Sequence, residues 1–197
     1  MMMDMKRSII VIVMAALLGA GVLSGCIFET RTPEPPGSDT SSWVTPEVSS
    51  TVFQNMKTGL EELDGINYNR SLNELFTFIP LPDDVSQFPQ GTFENWTADV
   101  EKLVVEGIVS GATAISVSFE IVKQTIDQSE LAQYEANYTL TLTDVAAQEE
   151  TFKGKGRFDI TRSSRGWELV RWEDIERVSG FATWGFLRGR TRQQQEG

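Results

Sequence analysis

Three segments in the second half of the chain alternate apolar and polar residues at every second position, which constrains the fold more than any other feature. They cover residues 115–122, 133–142 and 152–161. This period predicts three long strands, each with one apolar and one polar face. Apolar segments at 103–109 and 167–175 flank them, with turn residues at 110–111 and 163–166. Consecutive hairpins of this kind predict a curved antiparallel sheet of about five strands.

The residues before the sheet have helical spacing. Apolar side chains recur every three to four positions from Val48 to Leu63, and Thr45 and Pro46 are suited to the N-cap and first position of a helix. This predicts a helix that ends near Asp64-Gly65. Two shorter helices are predicted around residues 72–76 and 93–103. The expected fold class is therefore α+β, with N-terminal helices packed on the apolar face of the sheet.

The N-terminus carries a secretion pattern. Lys6 and Arg7 precede the uncharged 14-residue segment 9–22, which is short for a membrane span. The sequence Leu23-Ser24-Gly25-Cys26 follows and resembles the lipobox of a lipoprotein signal peptide. The alternative is an uncleaved anchor helix with an incidental cysteine. Cys26 is the only cysteine of the chain, so we expect no disulfide.

The lipoprotein resemblance implies a domain organisation and a location. Residues 1–25 would be the signal peptide, and residues 26–45 a lipidated cysteine with a disordered Pro/Ser/Thr tether. Residues 46–178 would form the α+β domain, and 179–197 an aromatic and basic C-terminal tail. Two acyl chains on Cys26 would hold the protein on the extracytoplasmic side of the cell envelope.

The charge of the chain excludes one class of partner. The formal net charge is −11, so we expect no nucleic acid binding. The outward positions of the three strands are polar, and burying them would be costly, so we expect no large sheet-to-sheet homodimer. Lys153, Lys155 and Arg157 form a basic stripe that we interpret as a solvated face opposing Glu135; a docking patch is the alternative.

The order of elements suggests a family. Helices followed by long hairpins, ending in Gly166-Trp167 and Trp172-Glu173-Asp174-Ile175, resemble the NTF2-like superfamily, which includes SnoaL-like cones. The resemblance covers residues 46–178. It implies a strongly bent sheet wrapped around a helix, with a conical pocket inside.

The candidate ligand-binding residues are those that would line this pocket. An open pocket would offer aromatic walls, two phenol groups and the space left by two inward glycines. In the simpler interpretation, which we favour, neighbouring aromatic side chains fill that space. The candidates are Trp96, Phe119, Tyr134, Tyr138, Gly154, Gly156 and Phe158.

Catalysis finds little support in the sequence. The chain has no histidine, and a lipidated Cys26 leaves no thiol, so we expect no catalytic residues, no metal and no cofactor. A carboxylate base beside a tyrosine, as in isomerase-type cones, is the remaining chemistry. The inner faces of the three strands hold no carboxylate, so one would come from elsewhere: Asp64 with Tyr68, or Glu74, Asp99, Glu173 or Asp174.

We therefore expect a lipid-anchored, non-catalytic envelope domain that binds a small apolar ligand or a protein partner. The alternatives are a cone-type enzyme of the isomerase or dehydratase kind and a pure adaptor subunit of a membrane complex. Apolar residues follow the last strand, and they either cap the domain or dock on a partner: Phe181, Trp184, Phe186 and Leu187.

Overall fold

A computed structural model describes residues 42–196, which form five helices and one five-stranded sheet. The predicted signal peptide, Cys26 and most of the predicted tether lie outside the described residues. The helices are α1 (Thr51–Glu61), α2 (Gly65–Asn69), α3 (Pro82–Val85), α4 (Ala98–Gly111) and α5 (Trp184–Glu196). The strands are β1 (Leu72–Ile79), β2 (Ala112–Asp127), β3 (Leu131–Asp144), β4 (Glu149–Ser163) and β5 (Gly166–Arg177).

The sheet has the order β1-β5-β4-β3-β2. Strands β2 to β5 form consecutive antiparallel hairpins, as the alternation predicted. Strand β1 is added at the edge and runs parallel to β5, so the sheet is mixed rather than wholly antiparallel. Irregularities in register interrupt the pairing of β2 with β3 and of β4 with β5, and such bulges increase local bending and twist.

Two secondary-structure predictions were wrong. Residues 72–76 lie in strand β1, where Leu72, Phe76 and Phe78 are buried. The first apolar residues of this segment fit helical spacing as well. Phe78, two positions after Phe76, is the residue whose spacing indicates a strand. Residues 103–109, predicted as a strand, belong to α4, which continues through the predicted turn at 110–111 directly into β2.

The first helix begins later than predicted. Ser50 precedes Thr51 as the N-cap, and Pro46 lies outside the helix. The Pro46 carbonyl instead accepts a hydrogen bond from the backbone of Trp167 on β5 at 3.0 Å. Just before it, the backbone N–H and carbonyl of Val44 pair with the Asn55 side chain at 3.0 and 2.6 Å. The last residues of the predicted tether are thus attached to α1.

The two faces of the sheet differ in chemistry. One face and the helices share a single hydrophobic core that includes alternate residues of β3 and β4. The opposite face carries ion pairs, and Lys155 lies 2.8 Å from Glu135, the partner predicted for the basic stripe. This hydrogen bond lowers the pKa of Glu135. Because the charged groups are paired with each other, this face is compatible with water.

Candidate functional site

The predicted pocket residues lie together inside the sheet. Tyr134, Tyr138 and Phe158 are buried, and Phe119 is half-buried. Phe158 has its ring centroid 5.9 Å from that of Phe119 and 4.7 Å from that of Trp172. The Tyr134 hydroxyl forms a 2.6 Å hydrogen bond with Ser49. Trp96, also buried, lies further away and is connected to this group through Phe78.

The two inward glycines do not leave free space. A Cβ atom at Gly154 would collide with the Tyr138 hydroxyl and lie 2.9 Å from the Glu176 carbonyl. A Cβ atom at Gly156 would lie 2.8 Å from the Phe158 ring and 3.0 Å from Nε1 of Trp172. Contacts below 3.0 Å are not tolerated without movement of the neighbours. The glycines therefore allow close packing of aromatic rings on the strand.

A buried ion pair occupies the centre of the molecule. Glu101 on α4 and Arg188 on α5 are both fully buried. Nε of Arg188 donates to the two carboxylate oxygens at 3.1 and 2.9 Å, and Nη2 donates to Oε1 at 2.6 Å. The Tyr68 hydroxyl and Trp96 Nε1 each donate to the same carboxylate at 2.8 Å. All the acceptor capacity of Glu101 is thus directed to groups of the protein itself.

The guanidinium of Arg188 is also enclosed by aromatic rings. Its central carbon lies 4.2 Å from the ring centroid of Phe78, 4.1 Å from that of Trp172 and 5.1 Å from that of Trp184. These are cation–π distances. Burial lowers the pKa of Arg188, but the neighbouring Glu101, Tyr68 and Asp174 groups together outweigh it and raise that pKa. Burial and the same carboxylate raise the pKa of Tyr68. Arg188 therefore remains a permanent cation in the core.

Sequence reasoning missed this ion pair. Glu101 falls on the buried face of α4 with Val104, Val105 and Ile108, at positions i, i+3, i+4 and i+7. A carboxylate on an apolar helical stripe is unusual enough to require a buried partner. That pattern was hidden because residues 103–109 were assigned to a strand.

A second buried carboxylate lies next to Tyr138. Asp174, 3% exposed, accepts hydrogen bonds from Nε1 of Trp172 at 2.9 Å and from the backbone of Gly185 at 3.1 Å. Burial raises its pKa to about 6 despite the opposing effect of Arg188. Burial, followed by the charge of Asp174, raises the pKa of Tyr138 well above its ordinary value. Asp174 is one of the carboxylates considered as a base.

Asp64, the candidate base predicted beside Tyr68, does not pair with the Tyr68 hydroxyl. Its carboxylate accepts the backbone N–H of Asn67 at 3.0 Å and caps α2. The fold does bring two carboxylates close to tyrosines, Glu101 to Tyr68 and Asp174 to Tyr138. None of these four side chains lines a cleft described below, and all are at most 3% exposed. All four are hydrogen-bonded to other groups of the protein.

The C-terminal segment closes the interior. Trp184 and Leu187 on α5 are buried, and the ring of Trp184 stacks against Phe119 with centroids 6.0 Å apart. Phe181, just before the helix, is 36% exposed and is covered by the ammonium of Lys153 at 4.2 Å from its ring centroid. Of the two alternatives for the aromatic tail, the structure shows the cap.

Several clefts open on the surface instead, and two of them combine a large volume with apolar side chains. The first, here called the α4–α5 cleft, lies between the end of α4, the β3–β4 turn and α5, and has a volume of about 490 Å³. The second, of about 560 Å³, lies at the end of β1 and is lined mainly by prolines, phenylalanines and aliphatic side chains. Both volumes fall in the range of small-molecule sites.

Residues 42–196 contain neither a metal-binding cluster nor a membrane-spanning helix. That part of the chain holds no cluster of three or more acidic or cysteine side chains placed to bind a metal ion. It also holds no helix with the length and hydropathy to span a bilayer.

Comparisons with known proteins connect the domain to a fold. No protein-family profile and no curated protein matches the chain. A structure described as a putative scytalone dehydratase from Novosphingobium aromaticivorans matches with a TM-score of 0.55 at 12% identity, over 66% of this chain and 81% of that one. The Kfla4162 protein from Kribbella flavida matches with a TM-score of 0.55 at 13% identity, over 71% and 93%. A conserved protein from Planctomyces limnophilus matches with a TM-score of 0.52 at 14% identity, over 64% and 93%.

Identities this low show the fold and nothing further. The α+β fold predicted from the sequence, with helices packed on a five-stranded sheet, is confirmed, and the parallel β1 strand is the difference. This chain differs from an open cone in having its interior filled by its own side chains.

Proposed function

We propose that this protein is a lipid-anchored, non-catalytic domain of the cell envelope that acts by binding at its surface. The filled interior carries this proposal. The groups that could serve as base and acid are locked in the Glu101–Arg188 cluster and beside Asp174, without a cavity next to them. A reaction requires substrate atoms within hydrogen-bond reach of the base. The two surface clefts support binding outside the cone.

The anchoring part of the proposal is supported by the Leu23-Ser24-Gly25-Cys26 motif and the charged, then apolar, segment before it. Two acyl chains provide stable attachment to a membrane, whereas one does not.

The second candidate is a cone-type enzyme. One structural neighbour is described as a putative scytalone dehydratase, and Asp174 has a raised pKa beside Tyr138. This candidate requires the start of α5 to move away, because its backbone N–H groups at Gly185 and Trp184 donate to Asp174 at 3.1 Å and to the Tyr138 hydroxyl at 3.3 Å. We place it second for that reason.

The anchoring is tested in the native host by feeding an alkyne-bearing fatty acid and comparing the full chain with its Cys26→Ser variant. We expect label and membrane-fraction recovery for the original chain, and neither for the variant. Equal labelling of both chains, or no label on the original chain, would exclude Cys26 as the lipidated residue.

The absence of catalysis is tested on the same material. Wild type and an Asp174→Asn variant are incubated with an extract of host metabolites, and the extract is compared by mass spectrometry before and after. We expect no metabolite to change. A mass that changes with the wild type but not with the variant would establish the enzyme.

A further inference from the structure

We propose that the α4–α5 cleft binds a small amphipathic cation, an amine with an apolar body and a protonated amino group. This inference rests on the proposed binding function and names the class of ligand. The argument has three parts: an apolar floor, an acidic rim and an opening left by a glycine.

The floor of the cleft is apolar. Ile108 and Leu187 are 5% and 2% exposed, and the half-buried Leu142 and Ala112 complete the surface. These side chains come from α4, α5, β3 and β2, so four elements of the core hold the floor in place. A rigid apolar floor favours the body of a ligand over water.

The rim carries three carboxylates and one cation. Arg190 forms two parallel hydrogen bonds with Glu150, at 2.9 and 2.7 Å, so these two charges neutralise each other. Asp144 accepts two backbone N–H groups of its own turn through a single oxygen, Oδ1, at 2.8 and 2.9 Å. Glu149 forms no ion pair within residues 42–196. Two negative charges therefore remain at the edge of a cleft with an apolar floor, which complements a cationic group.

The opening depends on Gly111, the last residue of α4. Gly111 is exposed and lines the cleft, and a Cβ atom at this position would meet nothing within 4 Å. Its backbone is not in the left-handed region, so larger residues fit there without strain. The side chain of a larger residue would extend into the cleft and compete with the ligand.

The test uses three probes of equal chain length: n-octylamine, 1-octanol and octanoate. Each is titrated at pH 7 into the 15N-labelled chain from residue 27 onward, which keeps every described residue, and amide shifts are followed. We expect saturable shifts at Gly107, Gly111 and Gln148 with octylamine. Binding should be about tenfold weaker for octanol and undetectable for octanoate, because the rim adds an attraction only for the cation.

Two variants and two controls locate the site. Gly111→Leu should abolish octylamine binding, and Glu149→Lys should weaken it at least tenfold. The matched controls are Ser110→Leu, an exposed neighbour that does not line the cleft, and Glu130→Lys, an exposed acid at the opposite end of β3; both should bind like the wild type.

Other outcomes overturn the inference. Equal affinity for octylamine and octanol would show that the ligand need not be a cation. Shifts that do not saturate with any of the three probes would show that the cleft is not a binding site. Glu149→Lys changes only an exposed side chain, so it remains informative even if Gly111→Leu disturbs the fold. The binding test does not depend on the lipid label on Cys26. The proposal of amine binding can therefore fail while the proposal of lipid anchoring holds.

Discussion

Removing the cation from the buried ion pair tests the central feature of the interior. Arg188→Met keeps the length and apolar character of the stem but leaves the fully buried Glu101 carboxylate without its counter-ion. Breaking a buried pair in this way costs about 3–5 kcal/mol of unfolding free energy. In a domain of this size, 1 kcal/mol changes Tm by about 2–4 °C, so Tm should fall by roughly 6–20 °C.

The assay is urea and thermal unfolding followed by tryptophan fluorescence, with a control on the same helix. Arg190→Met breaks the exposed pair with Glu150 and should cost less than about 1 kcal/mol. The double variant Glu101→Gln/Arg188→Met removes both charges and should be about 2 kcal/mol more stable than Arg188→Met. A double variant no more stable than the single one would refute the reasoning, because the loss would then come from packing and not from an unpaired charge.

Three further predictions concern the interior. Gly154→Ala should destabilise by about 1–3 kcal/mol, because its Cβ atom collides with the Tyr138 hydroxyl, whereas Gly111→Ala should be neutral or slightly stabilising in the same urea titration. Asp174 binds its proton more tightly in the folded state (pKa about 6) than in the unfolded chain (3.8), so its contribution to stability is complete below pH 4 and lost as the pH rises through 6. Relative to wild type, Asp174→Asn should therefore gain about 3 kcal/mol between pH 4 and pH 7, and a flat difference would contradict the raised pKa. Tyr134→Phe should cost about 0.5–1.5 kcal/mol through its lost hydroxyl hydrogen bond, and a larger loss would point to repacking.

The strands that the sequence predicted are those whose alternation is long. Strands β3 and β4 extend over 14 and 15 residues, and each keeps strict alternation of buried and more exposed positions through most of its length. Strand β1 has 8 residues, and its pairing with β5 is interrupted between Leu72 and Thr77. Strand β1 lies at the edge of the sheet and runs parallel to β5 because of the path of the chain between them. The alternation of apolar and polar residues within one strand contains no information on that path.

The sequence predicted which residues form the candidate site, but not which residues fill the space beside them. The sequence placed Tyr134, Tyr138 and Phe158 on the inner face, and the structure has them buried. Whether the space beside them is open depends on residues far along the chain. Trp184 and Arg188 fill it from a helix that was predicted as a tail, because the buried residues of α5 include two glycines and an arginine and form no regular apolar stripe.

The pairing of Glu101 with Arg188 has a consequence for the order in which the chain can fold. The two residues are 87 positions apart, and the cation belongs to α5, the last helix of the described residues. When the chain emerges N-terminus first from a ribosome, the carboxylate appears long before its counter-ion. Helix α4 cannot be buried at full stability until α5 arrives, so the domain stays incompletely folded until α5 has emerged.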